Sequence, residues 1–204
     1  GSVLNHGDLS ALSFHATKVF STFEGGAIVS PDADIKKRID QIKNFGFENE
    51  TTMAEVGING KMSEVNAAFG LLQLKYLDAA VARRREIDQH YRASLKGVRG
   101  ISCLNSSAQS EINCSYFPVL IQEDYPLSRD SLYSELELNN IYARRYFYPL
   151  ISDFSMYNHL SSANQDNLPV AKDVASKVLC LPIHPSLDDH ELALVIEIIR
   201  GATE

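Results

Sequence analysis

Gly7-Asp8-Leu9-Ser10-Ala11-Leu12-Ser13-Phe14-His15-Ala16-Thr17-Lys18, followed after four residues by Phe23-Glu24-Gly25-Gly26-Ala27-Ile28-Val29, is the stretch on which the fold turns. Leu9 to Phe14 and Ala27 to Val29 read as short strands. They need sheet neighbours that no earlier segment supplies, so the chain is expected to begin within a domain. Just past the first strand come hydroxyls, an imidazole and an amine. In α/β sheets ligands collect beyond the carboxyl ends of strands, which suits Lys18 to an anionic or carbonyl-bearing ligand. No GxxxxGK[ST] spacing surrounds Lys18, and taken alone such a lysine reads as a solvated surface residue. Glu24-Gly25-Gly26 by itself reads as a tight turn entering a strand.

Outward from this stretch, Ser30-Pro31 is expected to open a helix, with serine as N-cap and proline at the first helical position. Ile35, Ile39 and Ile42 give that helix one apolar stripe, and it should end near Phe45-Gly46. Ser63 to about Leu95 reads as helical again, with Val65, Phe69, Leu72 and Tyr76 on one stripe and Leu71 and Leu74 widening it. Such a helix is expected to pack into a larger assembly. Ala82 to Arg92 reads as the same helix or its kinked continuation. A domain boundary is placed near residue 80, giving domains 1–80 and 81–204.

Beyond it a strand is expected at Tyr116 to Ile121, a helix from Ser128 to Leu138 and a strand at Ile141 to Phe147. A long irregular stretch, a strand at Val178 to Leu181 and a last helix follow. Ser152 to Asn167 is the expected long loop, and Asp188 with Glu191 forms a D-x-x-E capping box before Leu192, Val195, Ile196 and Ile199. The order is that of an α/β or α+β layer fold.

The 204 residues carry 19 Lys+Arg against 26 Asp+Glu, a formal charge of −7, which argues against a nucleic-acid partner. Both basic triplets, Lys36-Lys37-Arg38 and Arg83-Arg84-Arg85, read as solvated helix faces. With 45% apolar residues the chain has material for a core rather than a disordered tail. No apolar run reaches the roughly 20 residues of a membrane helix, and no secretory signal is read at the start, so a cytoplasmic location is expected. Cys103, Cys114 and Cys180 match neither a disulfide framework nor a metal knuckle, and no metal site is expected. The sequons at Asn49, Asn105 and Asn113 carry no weight.

The run from Gly7 to Lys18 with Glu24-Gly25-Gly26-Ala27 closely resembles the lysine motif of the nucleotide-sugar aminotransferases, the DegT/DnrJ/EryC1/StrS family. A second block, Gly57-Ile58-Asn59-Gly60-Lys61-Met62-Ser63-Glu64-Val65-Asn66-Ala67-Ala68-Phe69-Gly70, resembles that family's G-x-N-x-[RK]-M-[ST]-E-x-x-A-A-x-G segment. A third, Leu181-Pro182-Ile183-His184-Pro185, fits its usual ending.

The resemblance implies the C-terminal part of an aspartate-aminotransferase-type chain (pyridoxal-phosphate fold type I). The end of a large α/β domain would be followed by a small α+β domain. It implies a homodimer with shared active sites, pyridoxal 5'-phosphate as cofactor, and Lys18 as the Schiff-base lysine, since a primary amine can both hold the cofactor aldehyde and shuttle a proton. Ser13 would give its hydroxyl to the cofactor phosphate, and Asn59 would reach across the dimer to the phosphate of the neighbouring subunit. His15 could shape the pocket, or simply pack. Lys61 stands where relatives often carry arginine facing the partner's substrate pocket, and lysine lacks the bidentate fork. Arg144-Arg145-Tyr146-Phe147-Tyr148-Pro149-Leu150 resembles an R-x-Y-F-x-P-L-H stretch near the sugar pocket, with Ile151 in place of the histidine. Tyr146 is a substrate candidate there, or an aromatic packing in the small domain.

The implied activity is transfer of an amino group, with glutamate as donor, to C4 of a dTDP-linked 4-keto-6-deoxyhexose for O-antigen assembly. C3 amination and a non-catalytic dimerising relative are the alternatives. Family members also carry a phosphate turn, a ring-covering aromatic and an aspartate for the pyridine nitrogen before the lysine motif. None can be assigned here, so this stretch alone is expected to be inactive.

Overall fold

The computed structural model describes residues 2–104 and 112–203, with the backbone only at Gln165. The sequon at Asn105 lies outside the described residues. The chain divides into two compact units, Gly1–Asp78 and Ala79–Glu204.

In the first unit β1 (Ser10–Ser13) and β2 (Gly26–Val29) pair antiparallel, with Ser13 opposite Gly26. Helix α1 (Ala33–Lys43) begins later than expected. Asp32 is its N-cap, accepting from the backbone N–H of Asp34 and Ile35, while Ser30 bonds the Asp32 backbone in the preceding turn, accepting its N–H and donating to its carbonyl. A carboxylate on two orphan amides outcompetes a hydroxyl as a cap, and its charge also complements the helix dipole. The helix closes where expected, with the Gly46 N–H bonded back to Gln41 O at 2.8 Å. Helix α2 (Glu64–Leu74) is capped by Ser63 and stops before α3 (Leu77–Ser94). The expected single helix is thus interrupted, the amides of Lys75 and Tyr76 turning to i−3 carbonyls.

The second unit holds a four-stranded antiparallel sheet in the order β3 (Ile101–Cys103), β4 (Phe117–Ile121), β6 (Val178–Leu181), β5 (Arg144–Arg145). Its helices are the rest of α3, α4 (Arg129–Leu138), α5 (Pro169–Lys177) and α6 (Asp189–Gly201). Every residue of β6 is buried, as a central strand requires, whereas β4 alternates, with Phe117, Val119 and Ile121 inward. Both halves of the capping box of α6 form, and Leu192, Val195, Ile196 and Ile199 are its buried face.

Two expectations fail here. The strand at Ile141 to Phe147 is reduced to Arg144–Arg145, because the backbone leaves the sheet and Phe147 adopts a φ of 46°. The long irregular stretch contains three 3-10 turns and then α5, whose start is marked by Pro169 in the first turn.

In the triplet Arg83-Arg84-Arg85 only Arg85 is exposed as expected. Arg83 donates to Leu187 O (2.8 Å) and pairs with Asp189 (2.7 Å), and Arg84 donates to Ile183 O (2.6 Å). They anchor the segment leading into α6, and burial lowers the pKa of Arg84. Buried Arg129 donates to Ala175 O in the last turn of α5 and to Val178 O at the start of β6.

The core also carries neutral acids. The Tyr125 hydroxyl donates to Ile199 O at 2.8 Å and that of Tyr91 to Pro182 O at 3.0 Å. Burial pushes Tyr125 and Cys180 each up to about 12 and raises Tyr91 further. Raised acids favour the folded state while the unfolded groups stay protonated too, and that contribution falls as pH rises past the ordinary values of 9.0 for Cys180 and 10.0 for Tyr125. Chemical denaturation should therefore show stability falling steadily between pH 9 and about 12. A flat profile in that window would contradict this burial.

Candidate functional site

The loop from β1 to β2 carries Lys18. Two backbone bonds close its neck, Phe14 N–H to Gly25 O and Thr22 N–H to Phe14 O, both 2.9 Å. A tight turn, Lys18 N–H to His15 O at 2.9 Å, sets the lysine at the tip. Its side chain is exposed. Among the described residues no hydrogen bond or ion pair takes its ammonium, so the amine is available to a ligand.

Ser13, at the end of β1, accepts the His15 N–H at 3.4 Å and keeps its own proton to donate. His15 is committed within the loop. Its Nδ1 accepts the Thr17 backbone N–H (3.2 Å) and lies 2.9 Å from Thr17 Oγ1, while Nε2 faces the Glu24 carboxylate at 3.5 Å. An Nδ1 that accepts leaves the neutral ring its proton on Nε2, toward Glu24.

Asn59 and Lys61 form a second cluster in the same unit. Gly57 to Gly60 is tied to the end of α1 by Ile58 N–H to Ile42 O and Gly60 N–H to Lys43 O, both 2.8 Å. The chains cross at two glycines. A Cβ on Gly57 would stand 2.1 Å from Gly46 N, and one on Gly46, at φ +86°, would stand 1.8 Å from Glu55 O. No side chain fits there. Lys61 Nζ donates to Asn59 Oδ1 at 2.9 Å and sits 4.1 Å above the Phe45 ring. With its oxygen taken by an ammonium, the Asn59 carboxamide presents its N–H donors without a partner among the described residues, the polarity an anion requires.

The structure thus brings Ser13, His15 and Lys18 together in one loop and Asn59 with Lys61 in one turn. No hydrogen bond joins these two groups among the described residues. Tyr146 belongs to the second unit, edge-on to Tyr116 with centroids 5.2 Å apart and beside Phe147 at 4.6 Å. Burial raises its pKa. Among the described residues no cluster of three or more His, Cys, Asp or Glu could hold a metal, and no helix is long and apolar enough to cross a membrane.

A profile of the DegT/DnrJ/EryC1/StrS aminotransferase family matches residues 2–200. The chain belongs to this family. It is 54% identical over 200 residues to a dTDP-4-amino-4,6-dideoxy-D-glucose transaminase of Shigella dysenteriae, covering 98% of this chain and 54% of that protein. A transaminase of the same name from Escherichia coli is 51% identical over 179 residues, covering 88% of this chain and 48% of that protein. The solved structure of DesI in the presence of its TDP-sugar product superimposes with a TM-score of 0.87 at 33% identity, over 97% of this chain and 50% of that one. The chain therefore spans about half the length of the curated relatives it matches, and its α/β architecture is that of the DegT/DnrJ/EryC1/StrS aminotransferases.

Within this aminotransferase fold, sequence reasoning missed Asn66. Its Nδ2 donates to Thr22 O at 2.7 Å and to Glu24 O at 2.8 Å, joining the second motif to the neck of the lysine loop. The available signal was its place one turn after the N-cap Ser63, inside the motif itself.

Proposed function

We propose that the protein at its full encoded length is a pyridoxal-phosphate-dependent aminotransferase. It moves an amino group from glutamate to C4 of a dTDP-linked 4-keto-6-deoxyhexose and releases 2-oxoglutarate. The observation that carries this reading is the exposed amine of Lys18, without a partner among the described residues, on a loop whose neck is closed by backbone hydrogen bonds. These residues fit the cofactor. Ser13 Oγ and Asn59 Nδ2 are donors suited to its phosphate, and Lys18 is a primary amine suited to its aldehyde. When bound, the cofactor supplies that aldehyde and a conjugated ring that accepts electrons as a C–H bond breaks.

In this reading Lys18 Nζ would hold the cofactor by its aldehyde and, as a free amine, would serve as the base and acid that moves the substrate's proton. Ser13 and Asn59 orient the phosphate end, and His15 shapes the loop. Lys61 holds the Asn59 amide outward and adds positive charge, without the fork that would grip a carboxylate. Tyr146 is a substrate contact of the second unit. The C4 assignment draws on the two transaminases that are 54% and 51% identical to this chain over the matched residues. We further propose a cytoplasmic homodimer with shared sites serving O-antigen assembly. The apolar residues Val65, Leu71, Leu72 and Leu74, all exposed on α2, support the dimer.

The test is incubation with the cofactor, glutamate and dTDP-4-keto-6-deoxyglucose, with the product's amino position read by NMR. An amine at C4 is expected. Amination at C3 of the corresponding 3-keto sugar, with none at C4, would overturn the assignment.

A further inference from the structure

We propose that Asn66 is a positioning residue for Lys18: its carboxamide clamps the two carbonyls at the neck of the lysine loop and thereby fixes where the amine stands. This rests on the reading of Lys18 as the catalytic lysine. The neck has to hold a tight reversal, with Phe23 at φ 65° and Gly25 at φ 154°, in which the carbonyl oxygens of Thr22 and Glu24 converge on one point. Two converging oxygens repel unless a donor stands between them, and Thr22 is buried, 2% exposed. The two hydrogens of Asn66 Nδ2 fill that position.

The two carbonyls can only accept, which sets the orientation of the amide, and its oxygen accepts from the hydroxyl of Ser63. Thr22 Oγ1 adds a second bond to Glu24 O at 2.8 Å. The same face of α2 secures the neck again at i+3 and i+4. Phe69 stacks on Phe23 with centroids 4.2 Å apart, and Gly70 lets the Thr22 methyl approach to where a Cβ would be only 2.7 Å away. From Glu24 the contact continues through His15 to the Thr17 amide, next to Lys18. Among the described residues the Asn66 side chain bonds Thr22 O, Glu24 O and Ser63, so it acts through the loop.

Asn66→Asp is nearly isosteric yet sets an oxygen against the two carbonyl oxygens. Gly70→Ala favours the helix while pushing Thr22, so it disturbs the neck from a different side without weakening α2. Both variants are compared with wild type at full encoded length. One readout is hydrogen exchange at the Thr22 and Lys18 amides without cofactor, and the other is the rate at which added pyridoxal phosphate becomes borohydride-trapped on Lys18. For each variant, exchange at those amides should rise about tenfold or more while β4 and β6 keep their protection. Trapping should slow by about tenfold or more, since misplacing a reacting group by an ångström is costly. Wild-type exchange and trapping rates in Asn66→Asp would overturn the proposal. If wild type itself is trapped elsewhere than Lys18, the catalytic reading fails, and the exchange data still decide whether Asn66 holds the loop.

Discussion

Lys18→Arg should abolish transamination, with kcat lowered by about 10^4-fold or more, while the fold stays as stable as wild type. Arginine keeps the length and the charge, but a guanidinium is never deprotonated in a protein and offers no free amine. It can neither hold an aldehyde covalently nor accept a proton from carbon. Positioned proton transfer alone contributes about 10^2 to 10^4, and the covalent role is lost with it. Stability should move by no more than about 0.5 kcal/mol, because the Lys18 side chain is exposed and braces nothing. Steady-state assays with glutamate as donor, alongside thermal melts, separate the two effects. Activity within tenfold of wild type would remove Lys18 from the chemistry.

The largest effect on stability is expected from Phe117→Ala. Phe117 is 1% exposed on β4, its ring 4.8 Å from that of Tyr91 on α3 and beneath the Arg92 guanidinium at 5.3 Å. Truncation leaves a cavity between helix and sheet and should cost about 3–5 kcal/mol. Against a total of about 5–15 kcal/mol this brings the second unit close to unfolding at ordinary temperature. Denaturant curves should show the midpoint falling with an unchanged slope. As a control, Tyr142→Ala, at a side chain 72% exposed, should change stability by about 0.5 kcal/mol or less.

Elements with complete local signals were legible in the sequence. The D-x-x-E box and apolar stripe defined α6, and strands were expected at Tyr116 to Ile121 and Val178 to Leu181, where β4 and β6 lie. Helix α5 was missed because its buried face is built from small residues such as Ala175, after a Ser- and Asn-rich stretch that reads as loop. Ile141 to Phe147 has the composition of a strand, but pairing with β6 ends after Arg145, a tertiary outcome that no residue type announces. Likewise Arg83 and Arg84 carry charge that suggests solvent, yet their partners are backbone carbonyls about a hundred residues away.

The site divides in the same way. Lys18, Ser13 and Asn59 came from the resemblance of whole motifs, since a lone lysine after a strand signals nothing by itself. Asn66 was out of reach because its partners are carbonyls 44 and 42 residues distant, and a bond to backbone leaves no complementary residue to notice. The internal pairing of His15 with Thr17 and Glu24 was equally hidden. These contacts make His15 a brace of the loop.

The central claim is that Lys18 is the residue holding the cofactor. Reaction of the full-length protein with pyridoxal phosphate, reduction with borohydride and peptide mapping tests it most directly. The account predicts one reduced cofactor per chain on the peptide that contains Lys18, absent in Lys18→Arg. Label on another lysine, or none at all, would contradict it.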